Sequence, residues 1–75
     1  MAKYAYPIKL GANDKRCWLN FPDLSLSLSV RKCEARWLFD RAAEALRTEI
    51  EVYYILGLDL PEPSTTTGRV VEVEF

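Results

Sequence analysis

The 75-residue chain contains no histidine. That absence removes histidine-based triads, histidine general bases and histidine-containing metal sites. Cysteine is almost as scarce. Cys17 and Cys33 are too few for a disulfide scaffold and too far apart for a CxxC pair. With no secretory signal leading the chain, the expectation is two free thiols in a reducing cytoplasm. No apolar run is long enough to span a bilayer, so no membrane segment is expected. The three glycines, Gly11, Gly57 and Gly68, are isolated and form no phosphate-cradling loop. Neither sign of charge dominates: ten basic and eleven acidic residues give a net charge of −1. A near-neutral chain lacks the dense basic surface that supplies most nucleic-acid affinity, which weighs against direct nucleic-acid binding by this domain alone.

What remains is the composition of a folded protein. Hydrophobic residues make up 49% and charged residues 28%, with three Phe, four Tyr and two Trp, which argues against a disordered chain. A chain of this length buries roughly 60% of the surface its unfolded state exposes. One thin core is the most it can form, so residues 1–75 read as a single domain. So small a core gains from association, and a homo-oligomer or a partner protein is expected.

Hydropathy patterning divides the chain into elements. Tyr4, Tyr6, Ile8 and Leu10 share one face of an extended segment, with Ala5, Pro7 and Lys9 on the other. Pro7 has no N–H to give a ladder, so its nitrogen should face an edge or a strand start. The polar stretch 11–16 is turn-rich, and Cys17–Phe21 reads as the returning strand of a hairpin, broken by Pro22 and Asp23. From Leu24 to Val30 leucine and serine alternate strictly, the signature of a strand with one buried and one wet face. The period then becomes helical. From about Arg31 to Leu56, the residues Ala35, Leu38, Phe39, Ala42, Leu46, Ile50, Tyr53 and Leu56 fall on one stripe. Ser29 is the expected N-cap and Gly57 the expected C′ residue. Arg36–Asp40 and Arg47–Glu51 are spaced to form (i, i+4) pairs. Such a helix would be about 39 Å long, more than this core can cover, so one end should meet a partner or fray. Leu58–Ser64 is a stiff extended connection, 65–68 a polar turn, and Arg69–Phe75 a last strand with Val71, Val73 and Phe75 on one face. The expected fold class is α+β, in the order β-β-β-α-β, with one mostly antiparallel sheet and a single long helix on one face.

The side chains that could do chemistry do not converge. Asp14 and Asp23 lie in turns, Asp40, Glu44 and Glu51 on the outer face of the helix, and Glu72 and Glu74 on the outer face of the last strand. A metal-dependent nuclease needs several carboxylates on one pair of ions. Glu49 points within the apolar stripe and reads as a flanking carboxylate that snorkels or pairs with a neighbouring chain. Cys33, in the expected first helical turn, reads as a buried structural thiol. Ser25, Ser27 and Ser29 have no base to activate them. No enzyme activity and no cofactor are expected. The aromatics say more. Trp37 and Tyr54 fall off the main stripe on opposite sides, and Trp18 alternates with Leu19, so the two cannot face the same layer. Exposed Trp and Tyr are common anchors of protein interfaces.

An ordered set of short motifs spans nearly the whole chain. Tyr6–Pro7–Ile8 opens the first strand and Phe21–Pro22–Asp23–Leu24 ends the second. Glu34–Ala35 starts the helix, which continues through Ala42–Ala43–Glu44–Ala45–Leu46. Gly57 closes it, and Leu60–Pro61–Glu62–Pro63–Ser64 precedes the valine-rich strand. In this order the set resembles the N-terminal domain of HicB-type antitoxins. The chain departs from that family between Ser25 and Lys32, where the family carries a Pro–Gly and a Gly–Asp–Thr and this chain has no glycine. It also stops at Phe75, where many members continue into a DNA-binding domain. The resemblance implies a partial RNase H-like fold. It also implies that the chain binds and neutralises a small, basic, RNA-cleaving HicA-type toxin by covering its active surface. The expected partner-binding residues are Trp37, Asp40, Glu44, Glu51, Tyr54, Trp18, Glu72 and Glu74. The competing readings are a homo-oligomeric HicB-like domain with no toxin, and a small inhibitor of a different nuclease or effector.

Overall fold

The computed structural model describes residues 3–64 and 68–74. The polar turn at Thr65–Thr67 and the terminal Phe75 of the last strand lie outside the described residues. The fold is α+β. Among the described residues five strands form two antiparallel sheets: β1 (Lys3–Pro7), β2 (Lys9–Ala12), β3 (Arg16–Phe21), β4 (Leu26–Arg31) and β5 (Val70–Glu74), with one α-helix, α1 (Leu38–Leu56). Short 3-10 turns at Pro22–Leu24 and Lys32–Trp37 lead into β4 and α1.

The first expected strand is split. β1 pairs with β5, from Lys3 opposite Glu74 to Pro7 opposite Val70, whereas β2 pairs with β3, Lys9 opposite Asn20. The hinge follows from Pro7. The Ile8 N–H donates to the Arg69 carbonyl at 3.1 Å. Alternation along an antiparallel pair then turns the Pro7 nitrogen away from β5, where no donor is needed. Two sheets of two and three strands therefore replace the single sheet expected, joined through this one segment.

The hairpin between β2 and β3 is closed by Asn13, whose Oδ1 accepts from the N–H groups of Lys15 and Arg16, both at 2.8 Å. The alternating segment behaves as its pattern demands. In β4 the serines are exposed, while Leu26, Leu28 and Val30 turn toward the core. Leu24, expected in the strand, is instead buried in the preceding 3-10 turn. That turn ends at Ser25 with φ 52°, a left-handed conformation unusual for a residue with a Cβ.

The helix begins seven residues later than the expected start at Arg31. Residues 32–37 form a 3-10 turn in which nothing is buried, so their helical spacing carried no packing information. Ser29 is no N-cap; it lies in β4, and its Oγ accepts from Arg16 Nη2 at 3.0 Å. Of the expected stripe, Leu38, Ala42, Leu46 and Ile50 are buried and Tyr53 is half-buried, but Ala35, Phe39 and Leu56 are exposed. At 19 residues, about 28 Å long, α1 still overreaches the sheet. Its end is a Schellman motif. Gly57 takes φ 69°, Leu58 N–H donates to the Tyr53 carbonyl at 2.9 Å and Gly57 N–H to the Tyr54 carbonyl at 3.2 Å.

The core lies between α1 and the inner sheet faces. Phe21, Leu19, Leu46 and Ile50 are its largest fully covered side chains, each contributing about 1.5–3 kcal/mol by burial. Tyr6, Ile8, Val71 and Val73 extend it beneath the two-stranded sheet. The connection after α1 is strapped back over the fold. Tyr6 Oη donates to the Pro61 carbonyl at 2.7 Å, and Ser64 N–H donates to Asp23 Oδ2 at 2.8 Å.

Candidate functional site

The eight residues singled out from the sequence fall on two opposite faces. Trp18, Glu72 and Glu74 lie on the sheet side turned away from the core, because Cys17, Leu19, Val71 and Val73 alternate with them and are buried. Trp37, Asp40, Glu44, Glu51 and Tyr54 lie on or beside the outward face of α1. No single docking surface can include both sets.

On the sheet side, Trp18 is the cross-strand neighbour of Gly11, and its indole lies directly over that glycine, with Cζ2 2.7 Å from where a Cβ would stand. Glycine is required there by the close approach. Glu72 and Glu74 each sit 3.9 Å from Lys3 Nζ, so their charge is already partly answered.

On the helix side, Trp37 stands where the 3-10 turn meets α1 and is 45% exposed. The Arg36 guanidinium lies 4.8 Å from its ring centroid, a cation–π contact. With Glu34, Asp40, Arg41 and Glu44, Trp37 lines a shallow depression of about 270 Å³. Asp40, Glu44 and Glu51 are exposed, and their spacing of four and seven residues sets them on one side of the helix. Neither Arg36–Asp40 nor Arg47–Glu51 forms an ion pair among the described residues; the pair on this side is Arg31–Glu34, at 3.1 Å. The hydrogen bond from Arg31, with its charge, holds the Glu34 carboxyl below the ordinary carboxylate range.

Beside the buried Ile50 and half-buried Tyr53, the last two turns of α1 carry a group of exposed apolar side chains. Tyr54 is 79% exposed, Ile55 71% and Leu56 63%, with Val52 and Leu58 beside them. Sequence periodicity concealed this end, because Leu56 continues the buried stripe by spacing while the sheet beneath it has ended. An apolar recess of about 350 Å³ at the other end of the helix is lined by Leu10, Ala12, Leu38 and Phe39 among others. Large contiguous apolar patches on a small protein mark interaction sites.

Among the described residues no group of three or more His, Cys, Asp or Glu side chains converges. Cys17 is buried in β3, and Cys33 is exposed in the 3-10 turn rather than buried as expected; both are free thiols. Glu49 is half-buried on the flank of α1. Among the described residues no helix is long and apolar enough to cross a membrane.

Charge is unevenly divided. Residues 9–32 carry five basic and two acidic side chains, whereas α1 carries four acidic and two basic ones. The segment that carries β2–β4 is thus net basic and α1 net acidic. Compared with protein-family models, curated proteins and solved structures, the chain matches none.

Proposed function

We propose that the chain is a non-catalytic, antitoxin-like binding protein of the cytoplasm. It neutralises a small basic RNA-cleaving protein of the HicA type by laying the outward face of α1 over that protein's active surface. The observation that carries this reading is the exposed pair Tyr54 and Ile55 at the end of α1, three and four residues from Glu51 and so on the same outward side as Glu51, Glu44 and Asp40. An apolar centre supplies binding energy, and a charged rim steers a partner of opposite sign and fixes its orientation. Of the two acidic sets, the helix set fits a basic partner better, because Lys3 already answers Glu72 and Glu74. The order of motifs along the chain, and the α+β fold that carries them, support the toxin as the partner class.

The test is inhibition of RNA cleavage by a small basic protein encoded beside this chain. Stoichiometric loss of cleavage is expected. Ile55→Lys should weaken inhibition by about tenfold or more, as removal of an interface anchor does, while leaving the fold intact because Ile55 is solvent-facing. Cleavage that continues at full rate in excess protein would refute the toxin reading. Inhibition of a different nuclease, equally sensitive to Ile55→Lys, would transfer the same surface to another effector.

A further inference from the structure

We propose that β4 is a dimerisation edge. Two copies of the chain pair antiparallel through Leu26–Arg31, joining their three-stranded sheets into one six-stranded sheet. This edge is separate from the α1 surface, so the dimer stands or falls independently of the toxin reading.

The edge is open and its hydrogen-bonding groups can be assigned. β4 pairs with β3 on one side, and no strand covers the other side among the described residues. Lys32 N–H donates to the Lys15 carbonyl at 2.9 Å, which fixes the phase of the ladder. By alternation, Leu26, Leu28 and Val30 direct their backbone groups at β3, and Ser27, Ser29 and Arg31 direct theirs outward.

This edge also lacks the usual protection. Natural edge strands carry charges, proline, bulges or a covering element. The outer strand of the other sheet carries Glu72 and Glu74, and the short β2 carries Lys9. From Leu26 to Val30 there is no charge, no proline and no glycine, and the pairing with β3 is unbroken; the charge of the edge is confined to its last residue, Arg31, which is paired with Glu34.

The edge is complementary to itself. With Leu28 opposite Leu28 of the second copy, Leu26 meets Val30, and Ser27 meets Ser29, on matching faces. The outward N–H and C=O groups of Ser27 and Ser29 then meet as hydrogen-bonded pairs. A one-residue slip would turn the apolar face of one copy into the wet face of the other. A two-residue slip would set Leu26 against Lys32 in one direction and, in the other, Val30 against Leu24 and Ser29 against Ser25, residues outside the strand. The Leu28–Leu28 register also closes the core. Leu26 and Leu28 are only half-buried at the rim of the cluster, and a second copy would cover them.

Charge adds to the preference for the antiparallel arrangement, chiefly through Lys32, since Arg31 is already paired with Glu34. Asp23 precedes β4, and Arg31 and Lys32 end and follow it. Antiparallel pairing brings the acidic end of one copy to the basic end of the other. Parallel pairing would bring like charges together. A strand edge with an apolar rim is small for an interface, so the dimer should dissociate on dilution through the micromolar range.

The test is sedimentation velocity of the full chain over a concentration series, with amide hydrogen exchange at both ends of the series. Wild type should reach twice the chain mass, and the amides of Ser27 and Ser29 should slow by about tenfold or more at high concentration. Ser27→Pro removes an outward donor that β3 does not use, a placement edge strands tolerate. It should stay folded by circular dichroism and be monomeric, whereas Ser27→Ala should dimerise like wild type. A chain that is monomeric at every concentration overturns the proposal. So does a dimer in which the Ser27 and Ser29 amides exchange freely, which would place self-association elsewhere. If Ser27→Pro fails to fold, the wild-type exchange result decides alone.

Discussion

Leu46 and Leu56 both belong to the apolar stripe by spacing, yet the structure assigns them opposite environments. Leu46 is completely buried and Leu56 is 63% exposed. Truncation of each to alanine separates burial from periodicity. A fully buried Leu→Ala change costs about 2.7–5.0 kcal/mol, depending on how far the cavity collapses. Leu46 is held between α1 and the strands with Ala42 and Ile50 along its own helix, so about 3 kcal/mol is the expected loss. A domain of this length has roughly 4–11 kcal/mol of stability to lose. The corresponding fall in melting temperature is about 12–24 °C, at about 4–8 °C per kcal/mol for a domain of this size. Leu56→Ala should change stability by less than about 0.5 kcal/mol, as exposed substitutions do. Urea unfolding followed by circular dichroism measures both. Equal losses at the two positions would overturn this assignment, because they would mean that the end of α1 is packed within the chain rather than open to a partner.

Other positions give independent checks. Gly11→Ala places a Cβ inside the Trp18 indole. The ring must leave or the hairpin must shift, at a cost of about 1–3 kcal/mol; a change in Trp18 emission, read in a Trp37→Phe background, should accompany the loss, and unaltered stability and emission would contradict the contact. Ser25→Gly should stabilise the fold by about 0.5–1 kcal/mol, because φ 52° suits glycine better than serine; a lower urea midpoint would contradict it. Tyr6→Phe tests the strap to Pro61. Burial, then the neighbouring Tyr4, Asp23 and Tyr53, raise the Tyr6 hydroxyl above its ordinary 10.0, so the folded protein keeps a proton that the unfolded chain releases. Its contribution is therefore complete below about pH 10 and is lost as pH rises toward the folded value. The variant should be about 1 kcal/mol less stable at neutral pH and should show a shallower alkaline decline than wild type; parallel declines would refute the assignment.

Much of the fold was legible because local pattern and packing agree. The leucine–serine alternation marked a half-buried strand, and β4 is one. Gly57 marked the helix end, and it adopts the left-handed conformation that a Schellman motif requires. Periodicity failed where it had nothing to pack against. Residues 32–37 continue the helical spacing but bury nothing, and they form a 3-10 turn. Leu56 and Phe39 sit on the correct side of α1 but beyond the cover available to them. Spacing says which side chains share a face; it does not say whether another layer lies opposite. Pro7 was readable as a residue whose nitrogen faces an edge or a strand start, but not as the point where the segment leaves one sheet for another. The candidate surface was partly legible for the same reason. Trp37 and Tyr54 were readable as off-stripe aromatics, and both are exposed. The separation of Trp18, Glu72 and Glu74 from the helix set depends on which sheet face α1 covers, a tertiary fact that alternation alone cannot fix.

If the uncovered end of α1 exists to meet a small basic protein, that protein should be found with this chain when the two are made together. The decisive measurement is co-expression of this chain with its flanking reading frames, followed by mass-resolved size-exclusion chromatography. Co-elution with a small basic neighbour is expected, with loss of that neighbour's RNA cleavage and release of both effects by Ile55→Lys. A chain that elutes without any neighbour, or a complex indifferent to Ile55→Lys, would contradict the proposed role of α1.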